Sequence, residues 1–244
     1  EEKWSTLTRA ASQKGRHVAI IVRNKVELML KDVAGKILGR EITKEDGIDI
    51  LRIEEAETRL GVRLPHALRE FYHTVGNIEL FGSSHNRFAP LDEIYIEEAL
   101  LFFLEENQSV CMWGVDVDEL AYDNPAVYMV AETEEGEDAW TENSPLPEFL
   151  RMMMYFQACM GDVEDNGGYD YGGDREGLSE ELINFLSTWE KCVDYSNFTV
   201  YFKWGNGSQL IWYMTGDEDE SVYLICQDED DYTAIADEFG FEEF

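Results

Sequence analysis

FTVYFKWGNGSQLIWYM, residues 198–214, decides the fold class. Phe198, Val200, Phe202 and Trp204 alternate with Thr199, Tyr201 and Lys203, Asn206-Gly207 supplies two turn residues, and Leu210, Trp212 and Met214 carry the alternation onward. Side chains two apart share one face of a strand, and Asn-Gly is a preferred two-residue connection, so the stretch predicts a β-hairpin. Thr215 to Glu220 turns the chain again into Val222 to Cys226, which makes a three-strand antiparallel meander. A closing helix from about Asp230 to Phe239 begins with acidic residues, where the helix dipole favours them.

Toward the N-terminus the period changes from two to three and four. Val18, Ile21, Val22, Val26, Met29, Leu30, Val33 and Ile37 predict an amphipathic helix over residues 17–38. A second helix is expected from about Ile50 to Leu60, and a third from Leu64-Pro65 to Gly76, with Leu68, Phe71, Tyr72 and Val75 as its buried stripe. Between residues 78 and 130, the short apolar runs Ile78 to Phe81, Val110 to Val115 and Ala126 to Val130 suggest strands, with one helix near Asp92 to Leu104. Leu146 to Met160 reads as a buried helix whose methionines fill gaps in a core. Gly161 to Gly177, with six glycines and six Asp/Glu, reads as a linker or mobile loop, and a helix resumes from Leu182 to Trp189. The expected class is therefore α+β: a mostly antiparallel sheet packed by helices, N-terminal helices first, and a C-terminal three-strand meander plus helix.

The 244 residues are 44% hydrophobic and 13% aromatic, ample for a core that needs neither disulfides nor a structural metal. Cys111, Cys159, Cys192 and Cys226 form no CxxC pair and read as free buried thiols. No apolar stretch reaches the ~18 residues of a membrane span, which points to a soluble, cytoplasmic protein. Beginning at Glu1 without an initiator Met, the sequence leaves room for a removed leader or an upstream domain.

The formal net charge is −33 and it is unevenly placed: residues 1–70 carry 14 Lys/Arg against 12 Asp/Glu, residues 71–244 carry 5 against 40. Such a field repels nucleic-acid phosphates and anionic lipids and steers basic proteins toward the surface, so neither nucleic acid nor membrane is an expected partner. The same acidity also serves solubility or a high-salt cytoplasm.

Familiar catalytic patterns fail. There is no GxSxG, HExxH or Walker lysine loop. His66, Glu70 and His73 share a helix face at metal-ligand spacing, but that face reads as the solvated one. Asp162, Glu164, Asn166, Gly167 and Asp170 approach a calcium loop, yet Gly173 stands where a bidentate Glu is required. His85 has no evident nucleophile partner. The clusters Glu132 to Asp138, Asp217 to Glu220 and Asp228 to Asp231 read as solvated charge, and no metal or cofactor is expected.

The specific signal lies between Ile53 and Met160. It comprises Ile53-Glu54-Glu55-Ala56-Glu57, Leu60-Gly61, Leu64-Pro65, Leu68-Arg69, Phe71-Tyr72 and Gly76-Asn77, then Pro90-Leu91, Glu106-Asn107-Gln108, Trp113-Gly114-Val115, Asp123-Asn124-Pro125 with Val127-Tyr128, and Leu146 with Glu148-Phe149-Leu150. In order and spacing these resemble the SUKH superfamily, which contains a yeast glucan-synthesis and cell-wall regulator and many bacterial immunity proteins. The pattern commonly has Gly where this chain has Ser109, and a second Pro where it has Ala126. The resemblance implies a domain order of a helical extension over 1–52, a SUKH-like core over 53–160, a Gly/Asp-rich loop over 161–177, and an α/β extension over 178–244 packed on the core.

It also implies protein binding rather than catalysis: an immunity protein that neutralises a cognate polymorphic toxin, such as a nuclease with a basic cleft. The alternative is a regulatory, scaffolding domain of the cell-wall-regulator type, and a weaker one a hydrolase using a carboxylate pair. The contact with a basic partner is expected at Asp116, Asp118, Glu119, Asp123, Glu132, Glu134, Glu135, Glu137 and Asp138, which flank the motifs.

Overall fold

The computed structural model of the chain describes residues 25–133, 136–161, 168–194, 198–203, 208–215 and 220–243. Residues 17–24 of the first expected helix, the start of the calcium-like loop, the hairpin turn at Trp204 to Gly207, and Glu134 and Glu135 lie outside the described residues.

Helix α1 occupies residues 25–38 and buries Leu30, Val33, Ala34 and Ile37, the stripe its periodicity predicts. Helix α2 (Ile50–Leu60) starts where the Asp49 carboxylate accepts the Leu51 N–H at 2.8 Å, and α3 (His66–Val75) follows Pro65. A short helix α4 (Glu79–Ser83) then leads into β1 (Arg87–Phe88), β2 (Tyr95–Glu97), β3 (Leu100–Glu105) and β4 (Cys111–Asp116). A 3₁₀ turn (Val117–Glu119) precedes β5 (Tyr128–Thr133), β6 (Gly136–Thr141) and the long α5 (Leu146–Met160). The rest is β7 (Tyr171–Glu176), α6 (Glu180–Leu186), β8 (Glu190–Asp194), β9 (Phe198–Lys203), β10 (Gln209–Thr215), β11 (Glu220–Cys226), α7 (Glu229–Phe239) and β12 (Glu242–Glu243).

Two antiparallel sheets result. The first runs β1-β3-β4-β5-β6, with β2 beside β1 on the same edge of β3; the second runs β12-β7-β11-β10-β9-β8. Helix α5 lies between them. Phe149 packs on Phe103 and Trp113 of the first sheet, with ring centroids 6.1 Å apart in both cases, while Tyr155 and Phe156 pack on Phe202 and Trp212 of the second at 6.1 and 5.2 Å. One apolar core thus joins both sheets through α1, α3 and α5. The far face of the second sheet is covered by α6 and α7, where Leu182, Leu186 and Ile235 meet Ile211, Val222 and Leu224. Alternation in β10 explains both cores, since Leu210 and Trp212 face α5 and Ile211 faces away.

The α+β class is as expected, but three local expectations are corrected. Asp92 to Leu104 is not a helix: it holds β2 and β3, joined by a two-residue turn at Glu98 and Ala99, both with positive φ. Ile78 to Phe81 is not a strand, since Glu79 opens α4. Gly161 to Gly177 is not all linker, because β7 pairs with β11 and β12. Its Gly173 is bare for close packing: a Cβ there would stand 2.5 Å from both the Glu242 carbonyl and the Tyr232 hydroxyl. Cys111 is half-buried, whereas the other three cysteines are buried free thiols. Among the described residues no helix is long and apolar enough to cross a membrane.

Candidate protein-binding face

The carboxylates singled out from the sequence fall at two ends of the first sheet. Asp116 closes β4 and caps the 3₁₀ turn by accepting the Asp118 N–H at 2.8 Å. Asp118 and Asp123 are exposed beside it. Glu119 has a structural task, accepting the Ala126 N–H at 2.9 Å. Glu132 and Glu137 sit directly opposite one another near the β5–β6 tip, with exposed Asp138 next in line. Gly114 pairs with Tyr128, so Asp116 and Glu132 are about 20 Å apart along the strands. The two groups therefore do not form a single cluster. None of the ion pairs among the described residues uses Asp116, Asp118, Glu119, Asp123 or Asp138.

What lies between the two ends follows from register. Tyr95, Phe102, Gly114, Tyr128 and Thr141 form one cross-strand row from β2 to β6. Glu105, Met112, Val130 and Ala139 form the next row, and Glu97, Leu100 and Asp116 the row on the other side. Side chains two apart along a strand share a face, so Asp116 stands on this same face, at one end. Asp138 belongs to the other face.

The side chains of this face pack on one another. The rings of Tyr95 and Phe102 stack at 5.2 Å, and the Tyr95 hydroxyl donates to the Met112 Sδ at 3.1 Å. A Cβ at Gly114 would come within 3.3 Å of the Phe102 ring, so the ring lies over the bare backbone of that residue. Phe102 is 6% exposed, yet it joins neither core, and nor do Leu100, Met112, Tyr128 and Val130. The inward residues Leu101, Phe103, Leu104, Trp113 and Val115 do. An apolar, aromatic surface outside both cores thus has exposed Glu97 and half-buried Asp116 at one end. Sequence reasoning missed its apolar half because two of its strands sat inside the expected helix.

Around the 3₁₀ turn, a cleft of about 630 Å³ separates it from the α2–α3 connection. Asp118 and Asp123 line one side; Glu54, Glu57, His66, Arg69 and Glu70 line the other. Its charged floor is largely committed to holding the fold. Arg69 bonds Glu57 and, at 3.2 Å, Glu54; Glu57 also accepts the Leu64 N–H at 3.1 Å. His66 and Glu70, 3.6 Å apart, are half-buried in this cleft, so their face is not the solvated one expected from sequence. His73 is turned away, bonding the Ile48 carbonyl through Nδ1 at 2.9 Å. Among the described residues no group of three or more His, Cys, Asp or Glu is arranged to hold a metal ion.

Residues 50–150 match a protein-family model, SUKH_6, described as SMI1-KNR4 cell-wall. The match covers 101 of the 244 residues and supports the likeness of this segment to the SUKH superfamily. Comparison with curated proteins and with solved structures gave no match.

The SUKH motif residues act mostly as clasps. Besides the Glu57–Leu64–Arg69 link, the Tyr72 hydroxyl donates to the Ala89 carbonyl at 2.6 Å, and the Asn77 amide donates to the Gly47 carbonyl at 2.6 Å. Trp113 Nε1 donates to Glu142 at 2.7 Å. Asn107 donates its N–H to Asn86 Oδ1 at 3.2 Å, and Asn86 is held through its backbone by buried Gln157 of α5, at 2.8 and 2.6 Å. Nor are the thiols activated. Burial, reinforced by Glu106 and Glu142, pushes Cys111 up to about 11, and burial pushes Cys226 up to about 12. His85, edge-on to Phe156, has its pKa lowered by burial. The motifs hold a scaffold; the surface they leave open is the outer face of the first sheet.

Proposed function

We propose that the protein is a non-catalytic binding module of the cytoplasm, an immunity protein that seizes a cognate toxin domain through a basic surface and neutralises it. The observation that carries this reading is the outer face of the first sheet: exposed Glu97 and half-buried Asp116, with exposed Asp118 and Asp123 beside them, stand outside the ion pairs of the described residues at one end of an apolar surface that serves neither core. The SUKH segment supports it, since the superfamily includes many immunity proteins. A strongly anionic binder reaches a cationic cleft by electrostatic steering, with association rates of order 10⁸ M⁻¹s⁻¹ at low salt that fall steeply as salt screens the field. Surface plasmon resonance against the product of the adjoining gene, from low to high ionic strength, tests it. A steep salt dependence together with loss of that product's toxicity is expected. Absence of binding overturns the reading, and binding with a flat salt response overturns its electrostatic mechanism.

The family description, with its reference to the cell wall, favours a second reading: a regulatory module that scaffolds proteins of wall assembly. A gene neighbourhood of wall enzymes, with no toxin module beside it, would favour that one.

A further inference from the structure

We infer that the cleft between the 3₁₀ turn and the α2–α3 connection receives one arginine side chain of the protein partner. This rests on the protein-binding reading above and names the contact that anchors it.

Three properties of the cleft carry the inference. Its lining is divided by polarity: half-buried Val62, Val117 and Leu120, with exposed Ala121, give it an apolar stretch, and exposed Asp118 and Asp123 an anionic one. A long basic side chain has the same division, an aliphatic stem that lies on apolar surface and a charged head. Its charge is unbalanced. Glu54, Glu57, Glu70, Asp118 and Asp123 line the cleft against Arg63 and Arg69, a net of −3 with His66 neutral. Arg69 is already held by Glu57 and Glu54, whereas neither Asp118 nor Asp123 enters an ion pair of the described residues. Finally, the negative charge is spread over both walls instead of being gathered at a point. Among the described residues no three His, Cys, Asp or Glu are arranged to hold a metal ion, so a compact cation finds no cage here. A guanidinium is planar and delocalised, with five donors that can serve carboxylates on separate walls, while a lysine ammonium is a point charge. At about 630 Å³ the cleft has room for the whole side chain and for water bridging its head to the farther carboxylates.

The test uses the full chain labelled with ¹⁵N, at low ionic strength, and three capped tripeptides: Ala-Arg-Ala, Ala-Lys-Ala and Ala-citrulline-Ala, the last keeping the shape of arginine without its charge. The arginine peptide should shift the backbone amides of Leu64, Asp118 and Ala121 and leave that of Asp230, in the acidic first turn of α7, in place. The lysine peptide should bind more weakly at the same amides, and the citrulline peptide not at all. Asp118→Asn with Asp123→Asn should weaken the arginine peptide at least about fivefold, against less than about twofold for Glu229→Gln with Asp230→Asn, which removes equal charge elsewhere. Ala121→Trp, which fills the cleft without changing charge, should abolish binding; thermal melts confirm that each variant folds. Shifts spread over every acidic surface, equal weakening by the two double variants, or full binding to Ala121→Trp overturns the proposal, since attraction is then diffuse. Equal affinity for the lysine peptide overturns the choice of arginine, and binding of the citrulline peptide overturns the role of charge. Function and site can fail separately. An adjoining-gene product that binds wild type and Ala121→Trp alike leaves the function standing and refutes this cleft as its anchor; arginine binding in the cleft with no binding of that product upholds the cleft and refutes the function.

Discussion

At the scale of single residues, departures from the family pattern have a physical price that can be read. Ser109, where glycine is common, sits at φ 59°, in the left-handed region. Its hydroxyl bonds Glu105 at 2.7 Å, and Glu106 caps the same turn by accepting the Gln108 N–H at 2.7 Å. Left-handed backbone costs a side-chain-bearing residue ~1–2 kcal/mol, while glycine forfeits roughly 0.5–1 kcal/mol in chain entropy. Ser109→Gly is therefore expected to stabilise the fold by at most about 1 kcal/mol, seen as a higher urea midpoint. Asp46 makes a pH-dependent contribution. Bidentate contact with Arg40 at 2.8 and 3.0 Å, helped by the Thr43 N–H, lowers its pKa from the ordinary 3.8 to about 2. A carboxyl depressed on folding stabilises above its unfolded pKa, and this contribution fades as pH falls through the folded value. Wild type should thus lose stability between pH 3.8 and about 2 more steeply than Asp46→Asn, as urea melts at pH 5 and 2.5 will show.

At the scale of elements, the best-read parts were those whose pattern and punctuation agree. α2, α3, α5, α7 and the β9–β11 meander carry clear periodicity between polar or Gly/Pro boundaries, and they were legible. The β2–β3 hairpin was not. Its turn places Glu98 and Ala99 at φ 47° and 67°, where Asn-Gly would have announced it. A bulge at Phe103 then turns both Phe103 and Leu104 inward, so alternation disappears and a buried run of this kind reads equally as helix. Glycine density misled in the other direction, because Gly173 of β7 marks close contact rather than freedom. Gly173→Val should push β12 and the Tyr232 side of α7 off β7, costing about 1–3 kcal/mol by overpacking and exposing the Glu242–Glu243 amides to faster hydrogen exchange. A variant that melts like wild type would show that this edge does not depend on close approach.

At the scale of the whole molecule, charge was legible and topology was not: residues 71–244 carry 5 Lys/Arg against 40 Asp/Glu, but only strand register shows that Asp116 and Tyr128 share one face of the first sheet. The shared core has a thermodynamic corollary. Because α5 contributes Phe149 to one sheet and Tyr155 and Phe156 to the other, neither half completes its packing alone. Near- and far-UV circular dichroism should follow one coincident thermal transition, and a fragment of residues 25–161 should bind the dye ANS and aggregate. Two separated transitions would refute a common core. The independence of the outer face from that core reaches further, into how such proteins diversify. Since Tyr95, Met112, Tyr128 and Val130 belong to neither core, substitutions among them leave the packing of both cores in place, so this surface can change in evolution faster than the scaffold beneath it.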